Sequence, residues 1–202
     1  PKNSRNKVAL IITSPMVAKF FLLNQINALS KHYEVTLISN FWDDKASDLS
    51  AISKDVNFKQ IPIQRKISLF LDIKTLFLLF KIFKDEQFSL VHSVSPKAGL
   101  LTAIAGYFAS VPIRIHTFTG QVWGTKSGLP RAILKALDKL IVLLNSDIIT
   151  DSQSQAVFLQ DEGVLGLGGS VTFLSGSISG VDIDRFKPNS VVRAQTRDAL
   201  AI

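Results

Sequence analysis

No cysteine occurs in these 202 residues, so disulfides and thiolate-bound metals are excluded and a reducing compartment is permitted. Histidine is scarce too: only His32, His92 and His116 are present, with no carboxylate cluster beside them, which makes a poor metal site. Glycine is missing where a dinucleotide fold would need it. The turn after the first apolar run reads Ser14-Pro15-Met16-Val17 in place of G-x-G-x-x-G, so no conventional NAD or FAD site is expected. A bilayer-spanning run of about 20 apolar residues is lacking as well. The stretch from Ala98 to Ile113 falls short and contains Gly106 and Pro112, while Leu69 to Phe83 is interrupted by Asp72, Lys74 and Lys81. Pro1 to Asn6 leads straight into a strand, so no secretory leader is expected.

Acidic residues are outnumbered, 16 against 23 basic ones, for a net charge of +7. That balance favours an anionic partner: a phosphorylated substrate, an acidic membrane or nucleic acid. Nucleic acid is the poorest fit, because the cations are scattered and no aromatic-basic alternation builds a stacking platform.

What is present is apolar: 47% of the chain is hydrophobic, ample for a large core. Strands are predicted at 7–13, 34–39, 56–63, 90–93, 113–118, 147–150 and 171–174. Helices are predicted at 16–32, 68–86, 97–110, 129–145 and 152–162. Pro62 places the third strand near an edge. This alternation predicts an α/β fold, a Rossmann-like, mostly parallel sheet with helices on both faces. The composition turns to Gly and Ser after Gly163, so residues 1–175 are expected to form the domain. Residues 176–202 are read as a linker and the start of a second domain that is not included.

The richest stretch is Leu90 to Gly124, LVHSVSPKAGLLTAIAGYFASVPIRIHTFTGQVWG. Two successive strands there end in loops with histidines and hydroxyls, and such loops line the ligand crevice of an open parallel sheet. His92 and His116 could exchange protons with a hydroxylated or phosphorylated ligand, or could be satisfied inside the sheet. His32, at a helix end, is read as structural. The loop Thr117-Phe118-Thr119-Gly120-Gln121-Val122-Trp123-Gly124 suits sugar recognition; its alternative is a tight turn with Trp123 capping the core. Lys97, badly placed for the helix dipole, is a candidate for an anionic ligand.

Three weaker patterns are read as connectors or turns: Gly166-Leu167-Gly168-Gly169, the near-elbow Gly176-Ser177-Ile178-Ser179-Gly180, and Asp182-Ile183-Asp184. The segment after Gln64-Arg65-Lys66 is apolar with Lys74, Lys81 and Lys84 on related turns. It is either a core helix with a narrow wet face or an interfacial helix on anionic lipid.

VHSVSPKAGLLTAIAGYFASVPIRIHTFTGQVW, SDIITDSQSQAVFLQDEGV and GSISGVDIDRFKP together resemble the amino-terminal half of family 4 retaining glycosyltransferases, above all the bacterial enzymes that build capsule, O-antigen or lipid-carrier glycans. The resemblance implies the N-terminal, acceptor-binding half of a GT-B fold. It also implies transfer of a hexose or N-acetylated amino sugar from a nucleotide-sugar to a polyprenyl-diphosphate-linked acceptor. The enzyme would work at the inner, cytoplasmic membrane face, with no bound cofactor or metal. Relatives carry a closely spaced glutamate pair for the donor; Glu34, Glu86 and Glu162 form no such pair, so the fragment alone is expected to be inactive.

On this combined reading of residues and resemblance, Ser14, His92, Ser93 and Lys97 would meet phosphate. Thr119, Gly120, Gln121 and Trp123 would position the sugar, and His116 would be catalytic. Arg65, Lys66, Lys74 and Lys81 would contact an anionic membrane surface. The alternatives are a GT-B-like nucleotide-sugar epimerase and a non-catalytic membrane-associated binding module.

Overall fold

The computed structural model describes residues 5–42, 49–166, 170–173, 183 and 186–202. Gly168, Gly169, the near-elbow at Gly176–Gly180 and the carboxylates of Asp182 and Asp184 lie outside the described residues.

Seven strands form one sheet among the described residues: β1 (Lys7–Ile12), β2 (Glu34–Ser39), β3 (Asn57–Gln60), β4 (Leu90–Val94), β5 (Ile113–Phe118), β6 (Asp147–Thr150) and β7 (Ser170–Phe173). Their order is β3-β2-β1-β4-β5-β6-β7, and every pairing is parallel. After Lys7, β1 carries the unbroken apolar run VALII because helices cover both its faces. β3 sits at the edge, and the strand stops two residues before Pro62, which has no amide to donate to a ladder.

The helical elements are α1 (Pro15–Val17), α2 (Leu23–Ser30), α3 (Leu69–Glu86), α4 (Pro96–Phe108), α5 (Gly128–Leu144), α6 (Gln153–Asp161) and α7 (Ser190–Leu200). The single helix expected over 16–32 is broken: a π-helical turn, Ala18–Leu22, separates α1 from α2. Ala18, Leu22 and Ile26 are all buried. Residues four apart on a regular helix drift about 40° around its axis, and a wider turn takes out that drift. The turn also leaves Phe20 and Phe21 exposed.

Alternation along the strands builds two cores. Leu10, Ile12, Val35, Leu37 and Val94 face Leu22 and Ile26 on one side. Ala9, Ile11, Ile38 and Val91 face α3 and α4 on the other, through Leu79, Phe83, Ala98, Leu101 and Ala105. A third cluster joins Phe118 and Ile148 to Ile141 and Val142 of α5 and Leu159 of α6. α7 is exposed along its whole length.

Candidate active site at the carboxyl edge of the sheet

The chain order reverses between β1 and β4: from β1 the sheet grows one way through β2 and β3, and from β4 the other way through β5, β6 and β7. That switch point opens a crevice at the carboxyl ends of the strands. Two hydroxyls meet across it, with Thr13 Oγ1 3.2 Å from Ser95 Oγ. Ser14 caps α1, its hydroxyl oxygen accepting a hydrogen bond from the Met16 backbone N–H. Ser95 takes φ 88° and ψ 146°, a conformation that side chains rarely adopt. The proline after it disfavours helical ψ there, so α4 starts abruptly at Pro96 with its amino terminus at the crevice.

Further along the edge, β5 is followed by Thr119 and Gly120, both exposed, and half-buried Gln121. Gly120 has φ 133°, and nothing lies within 4 Å of where its Cβ would be. The edge at this point is open and polar.

The two candidate histidines are not at that edge, and the expectation that they face a ligand groove is corrected. They stand on adjacent strands, but their side chains alternate to opposite faces of the sheet. His92 is 6% exposed, and its Nε2 lies 2.7 Å from Thr117 Oγ1. His116 is 0% exposed beneath α4, its Nδ1 2.9 Å from Ser93 Oγ and its ring edge-on to Phe118 at 4.6 Å. Burial lowers the His92 pKa to about 4; burial, with the nearby His92, lowers that of His116 to about 3. Both are neutral at ordinary pH. Ser93, bonded to His116 and itself fully buried, is likewise interior. A Cβ on Gly99 of α4 would stand 2.4 Å from His116 Cε1, so the glycine is what lets the helix lie on the ring.

Two further expectations change. Lys97 Nζ is held by both Asp72 carboxylate oxygens, at 2.8 and 3.0 Å, and by the Lys66 carbonyl. Its charge therefore ties α4 to α3 and the segment before it. Trp123, expected as a sugar platform, is 1% exposed and caps the third core cluster. Its Nε1 donates to Asp138 Oδ2 at 2.7 Å, and its ring stacks on Phe158 at 5.3 Å.

Of the sequence candidates, the structure therefore brings Ser14, Thr119, Gly120 and Gln121 to the carboxyl edge and withdraws His92, Ser93, His116, Lys97 and Trp123 into packing or pairing. Sequence reading missed Thr13, Gly99 and Asp138. The only local hint among them was the hydroxyl of Thr13 directly after an apolar strand. Among the described residues no group of three or more His, Cys, Asp or Glu could hold a metal ion.

α3 offers a different surface. Thr75, Leu79 and Phe83 point inward. Phe70, Ile73, Phe77 and Phe80 form a stripe on the outer side, with Phe70 79% and Phe77 68% exposed. Arg65, Lys66, Lys74, Lys81 and Lys84 are exposed around it. Among the described residues no helix is long and apolar enough to cross a membrane.

A doubly wound parallel sheet with a polar crevice at its switch point is the architecture of nucleotide- and sugar-handling α/β domains. Residues 7–154 match the family model described as glycosyl transferase 4-like, and the chain belongs to that family. It is 33% identical over 128 residues to the capsular polysaccharide biosynthesis glycosyltransferase CapM of Staphylococcus aureus, covering 63% of this chain and 33% of that protein. It is 37% identical over 92 residues to the UDP-Gal:alpha-D-GlcNAc-diphosphoundecaprenol alpha-1,3-galactosyltransferase of Escherichia coli, covering 41% of this chain and 24% of that one. The chain thus spans a third or less of the curated relatives it matches.

Among solved structures, UDP-N-acetylglucosamine 2-epimerase from Rickettsia bellii superposes with TM-score 0.67 at 19% identity, over 98% of this chain and 52% of that one. Anabaena Alr3699/HepE in complex with UDP gives TM-score 0.59 at 17% identity, over 96% and 50%. Identities this low show the fold alone: a Rossmann-like unit corresponding to half of a GT-B molecule.

Proposed function

We propose that this chain is the acceptor-binding half of a retaining glycosyltransferase of surface polysaccharide biosynthesis. The intact enzyme moves a hexosyl or N-acetylhexosaminyl group from a nucleotide-sugar to a saccharide on a polyprenyl diphosphate. The observation that carries the reading is the open polar edge at the switch point, in a chain of the glycosyl transferase 4-like family. Thr119, Gly120 and Gln121 offer hydroxyl, amide and carboxamide groups to sugar hydroxyls. Ser14, with the hydroxyls of Thr13 and Ser95 and the amino terminus of α4, faces the phosphate. The donor is held mainly by residues outside this chain, as no closely spaced glutamate pair occurs in it. The names of the two curated relatives support polysaccharide assembly and a lipid-diphosphate acceptor.

The outer face of α3 supports peripheral docking on the inner face of the membrane. Its phenylalanines can enter the headgroup layer while Arg65, Lys66, Lys74 and Lys81 meet anionic lipid.

The test is transfer by the intact enzyme from a panel of labelled nucleotide-sugars to polyprenyl-diphosphate-linked saccharides. Transfer that weakens in Thr119→Val and Gln121→Ala supports the reading. Free, altered sugar nucleotide formed without acceptor would indicate an epimerase instead. For docking, flotation with vesicles containing anionic lipid should fall in a Lys74→Glu, Lys81→Glu variant and in Phe70→Ser, Phe77→Ser. Flotation indifferent to all four changes removes the membrane contact.

A further inference from the structure

Trp123 belongs to the loop that leaves β5 just after the exposed Thr119 and Gly120, yet its side chain is interior. Three side chains of α5 surround it: Arg131, Lys135 and Asp138, spaced so that one helix face carries all three. The Arg131 guanidinium lies 5.1 Å and the Lys135 ammonium 5.7 Å from the indole centroid. Phe158 of α6 stacks on the ring with its plane inclined by 21°. Glu162, just beyond α6, accepts from Arg131 and Lys135, each at 2.6 Å, which holds both cations in place. These contacts grip the faces of the indole, and the third core cluster packs around it. The bond from Nε1 to Asp138 Oδ2, at 2.7 Å, is the directional contact on the ring's edge.

The orientation is passed to the site by a short, stiff chain segment. Gly124 N donates to the Gln121 carbonyl at 3.0 Å and Lys126 N to the Trp123 carbonyl at 3.0 Å, so residues 121–126 form overlapping turns that include Trp123. A Cβ on Gly124 would be 3.3 Å from the Gln121 carbonyl, which shows how closely that turn is wound. A shift of the Trp123 backbone in its seat would be passed through these turns to Gln121, next to Gly120 and Thr119.

We infer that Asp138 is a positioning residue: by holding the Trp123 indole it sets the place of Thr119, Gly120 and Gln121 at the carboxyl edge of β5. Asp138 touches no substrate. The inference rests on the reading of that edge as the acceptor site.

Two measurements test it in the intact enzyme. Asp138→Leu keeps side-chain bulk but removes the acceptor; Asp138→Asn keeps an acceptor oxygen; Trp123→Phe keeps a stacking ring but removes the donor. Asp138→Leu and Trp123→Phe are expected to raise the acceptor KM about tenfold with kcat within about twofold. Asp138→Asn is expected to restore the wild-type KM. Hydrogen exchange is read in parallel, and amides 119–126 should exchange about tenfold faster in Asp138→Leu and not in Asp138→Asn, with β4 and β5 unchanged.

Unchanged acceptor KM in Asp138→Leu, or a loss of kcat with KM constant, overturns the proposal. So does unchanged loop exchange. If the wild-type enzyme transfers no sugar, the functional reading fails, while the exchange result still decides whether Asp138 holds the loop.

Discussion

Replacing Gly99 by alanine sets one methyl group against one imidazole. The added Cβ would lie 2.4 Å from His116 Cε1, 2.7 Å from Nδ1 and 3.0 Å from Nε2. Comfortable contact between carbons begins near 3.5 Å, so helix and ring must separate by about 1 Å. The ring cannot step aside: it is fully buried, bonded to Ser93 at 2.9 Å and edge-on to Phe118. Nor can α4 lift freely, since Ala98, Leu101 and Ala105 on it are packed into the core with Leu79 and Phe83 of α3. Overpacking of this kind costs about 1–3 kcal/mol, occasionally more, against a gain of up to about 1 kcal/mol from placing alanine in a helix. An approach this close belongs at the upper end of that range, about 2–3 kcal/mol, so the net loss expected is about 1–2 kcal/mol.

For a domain of this size that lowers Tm by roughly 2–8 °C, measurable by circular dichroism, with urea unfolding as a second measure. The cause is checked by a double variant. His116→Ala vacates the volume that the new methyl needs, so Gly99→Ala should cost nothing further in that background. Gly99→Ala as stable as wild type, or equally harmful with and without His116, would refute the packing argument.

Asp138 gives a pH prediction. Burial raises its pKa from 3.8 to about 6, against the opposing hydrogen bond from Trp123. The folded state therefore holds this proton more tightly than the unfolded chain does, and the group's contribution falls as pH rises from about 4 to 6, by about 2–3 kcal/mol. His92 and His116 act oppositely, because their lowered pKa values make stability fall as pH drops below about 6.5. Asp138→Asn should accordingly steepen the rise in stability between pH 4 and 6; urea midpoints across that range that parallel wild type would contradict the assignment.

Ser95→Gly and Ser95→Ala both lose the Thr13 contact, but only glycine relieves the positive φ, so Ser95→Gly should be the more stable of the two by about 1 kcal/mol. Chemical denaturation of the two variants side by side reads the sign. Ser152→Ala removes the hydroxyl that accepts from the Gln155 amide at the start of α6 and should cost about 1 kcal/mol; no change in the urea midpoint would show that the cap is redundant.

The order and type of the elements were legible from local chemistry. Glu34–Ser39, Ile113–Phe118 and Asp147–Thr150 are the strands expected from their β-branched and apolar runs between turn residues. Pro96 marks the start of α4 and Gly163 the end of α6 for equally local reasons, one pre-setting a helical φ and the other taking φ 61°. The resemblance carried by the Leu90–Gly124 stretch also pointed correctly to the glycosyl transferase 4-like family.

What the sequence could not contain is which partner each polar side chain meets. His92 and His116 face opposite ways because β4 and β5 pair with Ser93 opposite His116, a register set by the packed sheet. Lys97 meets an aspartate on another helix, and Trp123 an aspartate fifteen positions later. Periodicity along a chain is a one-dimensional property, so it determines strands, helices and their order. Burial, pairing and pKa depend on distances between segments far apart in that order, and only the folded arrangement decides them.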